Sequence, residues 1–312
     1  MKRIVLVLLL TASCCGAQVR VADGFSTDWA NLKIESRQLA PHLYLMHGSG
    51  GNVVASVGGH GTLLVDTEFP QVAEKLKAAL KEMGAGPVRY VVTTHYHSDH
   101  SGGNGAFARD GAVIVGQENC RARMLVEEHS AFWGWTTPAS PMADVPTVTY
   151  DRRLVLYFNG DEVELFHNQP SHTDGDTVVY FHKANVVHLG DIFVNELYPY
   201  IDLGVGGKID GYLPVIDEVL AKIDDRTQVV PGHGPVTTKA GLKAYRDMLA
   251  TVRDRIRAGI AAGKTLEEIQ AGHPTAEFDA RDATDRVDGD GFVAMAYQSM
   301  TGQRLDWHPA RK

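Results

Sequence analysis

Short apolar runs alternate with glycine-rich turns near the start of the chain. Residues 43–46, 52–57 and 62–65 are mostly apolar, and the turns between them carry the glycines of 48–51 and 58–61. Runs of this kind, bounded by such turns, are typical of antiparallel strands. The pattern therefore predicts a strand-rich segment that follows a variable lead over residues 18–40.

The pattern then changes to helical spacing. Four apolar side chains recur on one face of a helix, and Gly84 is placed to end it. They are Val72, Leu76, Leu80 and Met83. A buried strand is predicted over 88–92. The same reasoning predicts a helix over 102–108, a strand over 112–115 and a helix over 118–129.

The second half of the chain repeats this order of strands and helices. Asn159-Gly160 lies between two apolar segments, and this dipeptide is a strong signal for a hairpin turn. We predict strands over 153–158, 162–167, 177–182, 185–189 and 228–230. We predict helices over 212–223 and 239–262, the second with Leu242, Tyr245, Leu249, Val252 and Ile256 on one face.

Two halves of this kind predict an α+β fold in which two sheets pack together with helices outside, a four-layer αββα sandwich. No linker separates the halves, so we predict a single domain over residues 18–312 with a C-terminal helical extension. Three segments are predicted as loops, namely 130–147, 198–211 and the Asp-rich segment 274–291.

The first residues have the pattern of an export signal. Lys2-Arg3 precede the apolar stretch 4–10, which is too short to span a bilayer as a helix. We predict that residues 1–17 are a signal peptide cleaved after Ala17, and that the mature protein is periplasmic or secreted. Lipidation of Cys14 is the alternative, although Thr11 stands where lipoprotein signals usually carry Leu.

Composition narrows the class of protein further. The 312 residues are 44% hydrophobic and 22% charged, as in soluble globular proteins, and the formal net charge is −8. No basic cluster interrupts the acidic balance, so nucleic-acid binding is disfavoured and a small-molecule substrate is expected. Only Cys120 remains after signal cleavage, which excludes an intrachain disulfide. No heptad pattern indicates an oligomeric state.

Residues 94–100, Thr-His-Tyr-His-Ser-Asp-His, concentrate three histidines and one aspartate just after the predicted strand 88–92. Imidazole and carboxylate ligands together suit zinc and the neighbouring transition metals. Four such groups at this spacing cannot all face one ion. They can face two ions from one loop, with His95 and His97 directed one way and Asp99 and His100 the other.

Three more ligand-type residues adjoin glycine-containing turns. His172 begins the run His-Thr-Asp-Gly, Asp191 follows Gly190 at the end of an apolar run, and His233 lies between two glycines. Each falls where a strand-like run gives way to a turn, so each is placed to extend from a strand end into a shared cleft.

The combination His-x-His-x-Asp-His, His-Thr-x-Gly, Gly-Asp and Gly-His-Gly resembles the metallo-β-lactamase superfamily over about residues 40–250. The resemblance implies the αββα fold and two zinc ions per chain. It assigns one ion to His95, His97 and His172, the other to Asp99, His100 and His233, and a bridging position to Asp191. It also implies that a metal-bound hydroxide attacks the substrate, with Asp99 as the catalytic residue that orients it.

The metal ligands do not identify the substrate, because this superfamily hydrolyses many compounds on one scaffold. In its lactamases that carry a Cys ligand at the second zinc, a Lys three residues later helps to bind the substrate carboxylate. Here those positions hold Asp191 and Val194. We therefore expect an exported hydrolase of esters, lactones, thioesters or amides. Candidate substrate contacts lie in two predicted loops, and they are Trp133, Trp135, Tyr198, Tyr200 and Lys208.

Other functions stay open. β-Lactam hydrolysis is the main alternative, because Lys208 or Tyr200 is available to bind a carboxylate. An iron-dependent sulfur dioxygenase is another, since the same ligand types hold iron in the superfamily's persulfide dioxygenases, although export disfavours that chemistry. The complete ligand set disfavours a non-catalytic binding protein, and the acidic charge disfavours a nuclease.

Overall fold

The structure, a computed structural model, describes residues 28–130 and 134–303. The predicted signal peptide, the Cys14 alternative and Trp133 lie outside these residues. Trp135 begins a strand, but its side chain also lies outside the described part of the chain. Within the described residues, no helix combines the length and the apolar character needed to cross a lipid bilayer.

A seven-stranded sheet forms most of the first half. Its first four strands are antiparallel, and the remaining neighbours pair in parallel, in the order β1-β2-β3-β4-β5-β6-β9. The elements are β1 (Glu35–Ala40), β2 (Leu43–His47), β3 (Val53–Gly58), β4 (Gly61–Val65), α1 (Ala73–Glu82), β5 (Val88–Thr93), α2 (Ser98–Ser101), α3 (Asn104–Arg109), β6 (Val113–Gln117), α4 (Glu118–Met124), β7 (Glu128–Ser130), β8 (Trp135–Thr137) and β9 (Val148–Tyr150).

A five-stranded sheet forms the second half. Strands β10 to β13 are antiparallel neighbours, and β14 pairs in parallel with β13. The elements are β10 (Arg153–Phe158), β11 (Asp161–Phe166), β12 (Val178–Phe181), β13 (Val186–His188), α5 (Ile209–Lys222), β14 (Gln228–Val230), α6 (Lys239–Ala261), α7 (Leu266–Gln270), α8 (Ala276–Asp282) and α9 (Gly289–Thr301).

Three apolar clusters join these elements into four layers. One lies between the sheets and includes Val92 of the first and Val163 of the second. A second places α1 against the outer face of the first sheet through Leu76. The third places α5, α6 and α9 on the second sheet, with Leu249 fully buried. Burying a Val or Leu side chain contributes roughly 1.5–3 kcal/mol. The αββα prediction is therefore confirmed.

The predicted hairpin turn at Asn159-Gly160 is present and also links the two sheets. Both residues have positive φ, 51° and 78°, as the turn type favoured by Asn-Gly requires. The side-chain amide of Asn159 donates hydrogen bonds to the carbonyls of Ser56 and Gly61 in the first sheet. One turn residue thus closes the β10–β11 hairpin and holds it against the neighbouring sheet.

Two predictions around the first sheet are wrong. The helix predicted over 118–129 ends at Met124, because Met124 is buried whereas Leu125 and Val126 are 40% and 50% exposed, so no apolar face continues. The chain then forms the antiparallel pair β7–β8, in which β7 begins within the predicted helix and β8 lies within the predicted loop 130–147. The variable lead contains β1, an edge strand whose side chains are mostly exposed and therefore lack an alternating pattern.

The predicted loop 274–291 is also wrong, since α8 and the start of α9 occupy it. Its aspartates serve the helices. Asp288 accepts a hydrogen bond from the Gly291 amide and caps α9. Asp282 is buried and paired with Arg281. A polar composition that indicated a solvated loop thus reflects helix capping and internal ion pairing.

Candidate metal centre

The seven candidate ligands meet at one edge of the sandwich, where strands of both sheets end. The 94–100 motif follows β5 and forms the short helix α2. His172 lies in the turn before β12, Asp191 follows β13, and His233 follows β14. Both halves of the chain therefore contribute to the centre, as the sequence predicted. We call His95, His97 and His172 the first triad, and Asp99, His100 and His233 the second triad.

Glycines allow the ligand segments to approach closely. A Cβ at Gly51 would lie 2.1 Å from Cε1 of His100, and one at Gly232 would lie 1.9 Å from Oδ1 of Asp191. The side-chain amide of Asn52 donates to the carbonyls of Pro231 and Gly234, at 2.9 and 3.0 Å, and so holds the turn that carries His233. Side chains at 51 or 232 would displace ligands.

The first triad brings three imidazole nitrogens together. Nδ1 of His97 lies 3.1 Å from Nε2 of His95 and 3.0 Å from Nε2 of His172. Zinc binds imidazole nitrogen at about 2.0–2.1 Å in tetrahedral sites, which places ligand atoms about 3.3 Å apart. The spacing of the first triad therefore fits one such ion.

The second triad has similar spacing but includes a carboxylate. Nε2 of His233 lies 3.2 Å from Nε2 of His100 and 3.2 Å from Oδ2 of Asp99. Nε2 of His100 lies 3.8 Å from the same Asp99 oxygen. Two imidazoles and one carboxylate are again a suitable ligand set for zinc or a neighbouring transition metal.

Asp191 lies between the triads. Its Oδ1 is 3.2 Å from Nε2 of His100, and its Oδ2 is 3.5 Å from Nε2 of His233 and 3.7 Å from Nε2 of His172. Oδ1 is buried, yet no described residue gives it a hydrogen bond of acceptable geometry. An anionic oxygen that is buried without a well-formed hydrogen bond is costly unless a cation satisfies it. The donor set therefore fits a dinuclear metal centre with Asp191 shared.

A second layer of acceptors orients the imidazoles. In four of the histidines, the ring nitrogen directed away from the centre meets a protein oxygen, which leaves the inner nitrogen as the acceptor. The contacts are His95 Nδ1 with Thr94 Oγ1 at 3.1 Å, His97 Nε2 with Asp202 Oδ2 at 2.9 Å, His100 Nδ1 with Asp66 Oδ2 at 2.8 Å, and His172 Nδ1 with the Tyr200 carbonyl at 2.7 Å.

The imidazoles of the first triad differ in their charge state. Burial lowers the pKa of His95 well below its ordinary value, and His100 and His172 lower it further. Burial also lowers the pKa of His172. Burial opposes charge on His97 as well, but the hydrogen bond to Asp202 and the negative charges of Asp202, Asp99 and Asp191 together outweigh it and raise the pKa. Two of the three imidazoles are therefore neutral at neutral pH.

The second triad is a network of ion pairs. Burial opposes charge on His100, but Asp191 and Asp99 outweigh it and raise the pKa of His100 well above its ordinary value. Burial likewise opposes charge on Asp99, yet His100 and His233 lower its pKa. The pKa of Asp191 is lowered strongly for the same reason. Both carboxylates are therefore ionised at neutral pH.

Four of the seven candidate ligands are partly exposed. The side chains of His97 and His233 are 19% and 20% exposed, and those of Asp99 and Asp191 are 14% and 11% exposed. His100 and His172, by contrast, are 0% and 1% exposed. A substrate therefore reaches the centre over the edge formed by these four partly exposed side chains, which we call the open edge.

The structure separates the predicted substrate contacts. The ring of Tyr200 lies 5.9 Å from those of His97 and His172, so Tyr200 adjoins the first triad. Tyr198 does not. It is buried against Phe292, and its hydroxyl donates to Asp279 at 2.7 Å, which corrects the prediction that Tyr198 lines the site. Lys208 is exposed at the start of α5, and its backbone amide donates to the Ser171 carbonyl.

Sequence reasoning missed two carboxylates behind the centre. Asp66 accepts hydrogen bonds from the Thr94 amide and hydroxyl as well as facing His100. It directly follows the apolar strand β4, the same signal that singled out Asp191 after β13. Asp202, behind His97, lies in a loop without such a signal. A third residue, Arg286 between α8 and α9, has an exposed side chain. Partial desolvation lowers the pKa of its guanidinium, and the negative charge of Asp99 acts in the opposite direction.

The sequence profile of the metallo-beta-lactamase superfamily matches residues 48–251, which include all seven ligands. The chain belongs to this superfamily. The match supports a metallo-hydrolase of this superfamily, and the described ligands could hold the metal. The profile ends before α7, so the helices from 266 onward lie outside the matched segment.

Individual relatives differ in activity. Metallo-beta-lactamase type 2 of Bacillus sp. (strain 170) is 24% identical over 190 residues, covering 61% of this chain and 68% of its own length. The alpha subunit of 2,4-dinitroanisole O-demethylase from Nocardioides sp. (strain JS1661) is 30% identical over 149 residues, or 46% of this chain. This chain spans only 42% of that subunit.

A solved structure extends the fold comparison. The stereoselective inverting sec-alkylsulfatase of Pseudomonas sp. superposes with a TM-score of 0.66 at 20% identity, covering 89% of this chain and 52% of the sulfatase. At this identity the likeness shows the fold alone. Because these relatives act on lactams, aryl ethers and sulfate esters by their names, the superfamily assignment leaves the substrate to be argued from the site.

Proposed function

We propose that this protein is an exported hydrolase that holds two zinc ions and cleaves a carbonyl substrate such as an ester, lactone, thioester or amide. The observation that carries the proposal is Asp191, whose carboxylate lies between two triads of ligand spacing and has a buried oxygen that makes no hydrogen bond of acceptable geometry to a described residue. Export is proposed from the Lys2-Arg3 and apolar N-terminal pattern.

The metal ions would be held by the first triad, by the second triad and by Asp191 between them. When bound, zinc supplies Lewis-acid polarisation of a carbonyl oxygen and lowers the pKa of water toward neutrality. The remaining catalytic tasks fall to the side chains of this chain, and they follow from which groups face the open edge.

Asp99 is the candidate for positioning the nucleophile. Its Oδ2 lies 3.2 Å from Nε2 of His233, and its side chain is 14% exposed at the open edge. Its lowered pKa keeps it ionised at neutral pH, so it accepts a hydrogen bond from water that approaches the substrate. The same oxygen can then hold the proton that the leaving group requires.

The surroundings of Asp191 bear on the substrate. Val194, three residues later, is 5% exposed and belongs to the core of the second sheet and the C-terminal helices. No cation therefore stands at that position to bind a β-lactam carboxylate. This favours other carbonyl substrates over lactams. The Bacillus relative keeps β-lactam hydrolysis as the second candidate, in which case an exposed cation such as Lys208 would bind the carboxylate.

One set of measurements tests the proposal. Protein purified from the periplasmic fraction and reconstituted with zinc should contain about two zinc ions per chain, and N-terminal sequencing should begin at Gln18. A panel of chromogenic ester, lactone, thioester, β-lactam and sulfate-ester substrates should show the highest kcat/KM in one of the first three classes. Absence of bound metal after reconstitution, or turnover restricted to sulfate esters, would overturn it. Iron as the only tightly bound metal would favour the dioxygenase.

A further inference from the structure

Asp202 is a buried carboxylate residue that contacts two members of the first triad, His97 and His172. It lies in the loop between β13 and α5 and is 2% exposed. Oδ2 accepts a hydrogen bond from the Tyr96 hydroxyl at 2.7 Å and contacts Nε2 of His97 at 2.9 Å. Oδ1 accepts from the Gly204 amide at 3.2 Å. These partners are donors or can be, as an ionised carboxylate requires.

The backbone of Asp202 acts on a different ligand. Its amide donates to the carbonyl of His172 at 2.9 Å, and its own carbonyl accepts from the Gly207 amide at 2.8 Å. The His97 and His172 segments are far apart in sequence, and Asp202 contacts each of them with a different part of the same residue. A shift of Asp202 would therefore disturb two ligands at once.

We propose that Asp202 is a positioning residue that fixes the tautomer of His97 and so makes the first triad competent to bind metal. The inference rests on the proposed function, because it concerns the same centre. An ionised carboxylate only accepts hydrogen bonds, so the contact at 2.9 Å puts the proton on Nε2 of His97. The Nδ1 lone pair is then directed at Nε2 of His95 and Nε2 of His172.

His97 depends on such a contact because the ring nitrogen that it directs at the centre differs from that of its neighbours. His97 faces the centre with Nδ1, whereas His95 and His172 face it with Nε2. It is also the most exposed member of the first triad, at 19%, so the surrounding core holds its ring less firmly. Outer carboxylates of this kind fix ring orientation and tautomer in metal sites generally.

The variant Asp202→Asn tests the donor pattern with little change in shape. If the amide oxygen keeps the Gly204 hydrogen bond, the amide N–H group faces Nε2 of His97, and His97 must carry its proton on Nδ1 instead. If the amide turns over, its N–H group faces the Gly204 amide N–H. Either arrangement leaves one pair of groups mismatched, and the first of them places a hydrogen where the metal binds.

Two measurements on metal-free protein read the inference directly. Long-range ¹H–¹⁵N correlation spectra of the histidine rings, taken at a pH where His97 is neutral, should show the Nε2–H tautomer in wild type and the Nδ1–H tautomer in Asp202→Asn. A chelator-buffered zinc titration should show roughly 10- to 100-fold weaker binding at the first triad of the variant. The second triad should keep its affinity.

Tyr96→Phe is the matched control. It removes the Tyr96 donor to Oδ2 of Asp202 but leaves the contact with His97. It should preserve both the tautomer and the zinc affinity. An Nδ1–H tautomer at His97 in wild type would overturn the inference even if Asp202→Asn fails to fold, and so would unchanged zinc affinity in a folded variant. Because the spectra need neither metal nor substrate, failure to hydrolyse any substrate would count against the proposed function alone.

Discussion

The two triads lie side by side but are held by different physical means. The first is made of imidazoles, two of which burial keeps neutral, and it relies on hydrogen bonds that the rings donate to oxygen atoms behind them. The second is an ion-pair network in which His100 lies between Asp66 on one side and Asp191 and Asp99 on the other. The first triad therefore depends on hydrogen-bond direction, and the second on charge balance.

The largest expected effect comes from removing the ligand that the triads share. Asp191→Ala should lose the metal of the second triad and retain the metal of the first, because His95, His97 and His172 still form a complete set. Loss of one Lewis acid is worth several kcal/mol, so kcat/KM should fall roughly 10³-fold. Stepwise zinc titration with parallel kinetics measures both. If both sites keep wild-type affinity, Asp191 is not the shared ligand.

The next effect sharpens the comparison from behind the second triad. Asp66 is fully buried and lies 2.8 Å from Nδ1 of His100. Asp66→Asn should weaken zinc binding at the second triad by roughly 10- to 100-fold. The first triad should change less, because Thr94 lies between Asp66 and His95. Paired zinc titrations should thus show weaker binding at the second triad in Asp66→Asn and at the first triad in Asp202→Asn. Equal weakening of both sites in both variants would show that the triads do not act independently.

A steric change at the second triad should have a smaller effect. In Gly51→Ala the new methyl group meets the His100 ring at 2.1 Å, so the ring or the 48–51 loop must move. Overpacking of this kind destabilises proteins by about 1–3 kcal/mol. Gly59→Ala is the control, since a Cβ there meets nothing within 4 Å. Thermal unfolding and zinc titration of both variants provide the measurement. Equal behaviour of the two variants would show that the His100 ring tolerates the displacement.

These residues also show what the sequence could predict. The 94–100 motif is contiguous, and His172, Asp191 and His233 adjoin turns, so the structure brings together all seven residues that the pattern singled out. Asp202 could not be found that way, because its importance arises only when a loop between β13 and α5 folds against the motif after β5. The α8 and α9 helices were missed because Asp282 and Asp288 serve helix ends rather than a loop: Asp282, the last residue of α8, pairs with Arg281, and Asp288 caps α9.

Zinc affinity should depend on pH differently at the two triads. At each triad it should change about tenfold per pH unit for each proton that zinc binding must release. The raised pKa of His100 means that this ring carries a proton in the metal-free protein, whereas Asp99 and Asp191, with lowered pKa values, carry none. Affinity at the second triad should therefore rise with pH until the pKa of His100 is passed. The first triad should level off at lower pH, because the pKa of His97 is raised less. Zinc titrations at several pH values across the neutral and alkaline range provide the measurement. If the two triads show the same dependence of zinc affinity on pH, the charges assigned to His100 and His97 are wrong.

The smallest expected effect concerns the cations near each triad. The backbone amide of Lys208 donates a hydrogen bond to Ser171, which is next to the first triad. The positive charge of Arg286 interacts with the negative charge of Asp99 in the second triad. Both side chains are exposed, so either contact with a substrate anion is worth about 0–1 kcal/mol, or up to about fivefold. We expect Arg286→Ala to lower kcat/KM for mono-4-nitrophenyl glutarate more than for neutral 4-nitrophenyl acetate, and Lys208→Ala to leave that ratio unchanged. Because the ratio compares two esters on one variant, a general loss of stability or metal cancels out of it. The reverse result, with β-lactams as the best substrates and Lys208→Ala selectively removing that activity, would place substrate recognition at the first triad and establish the lactamase alternative.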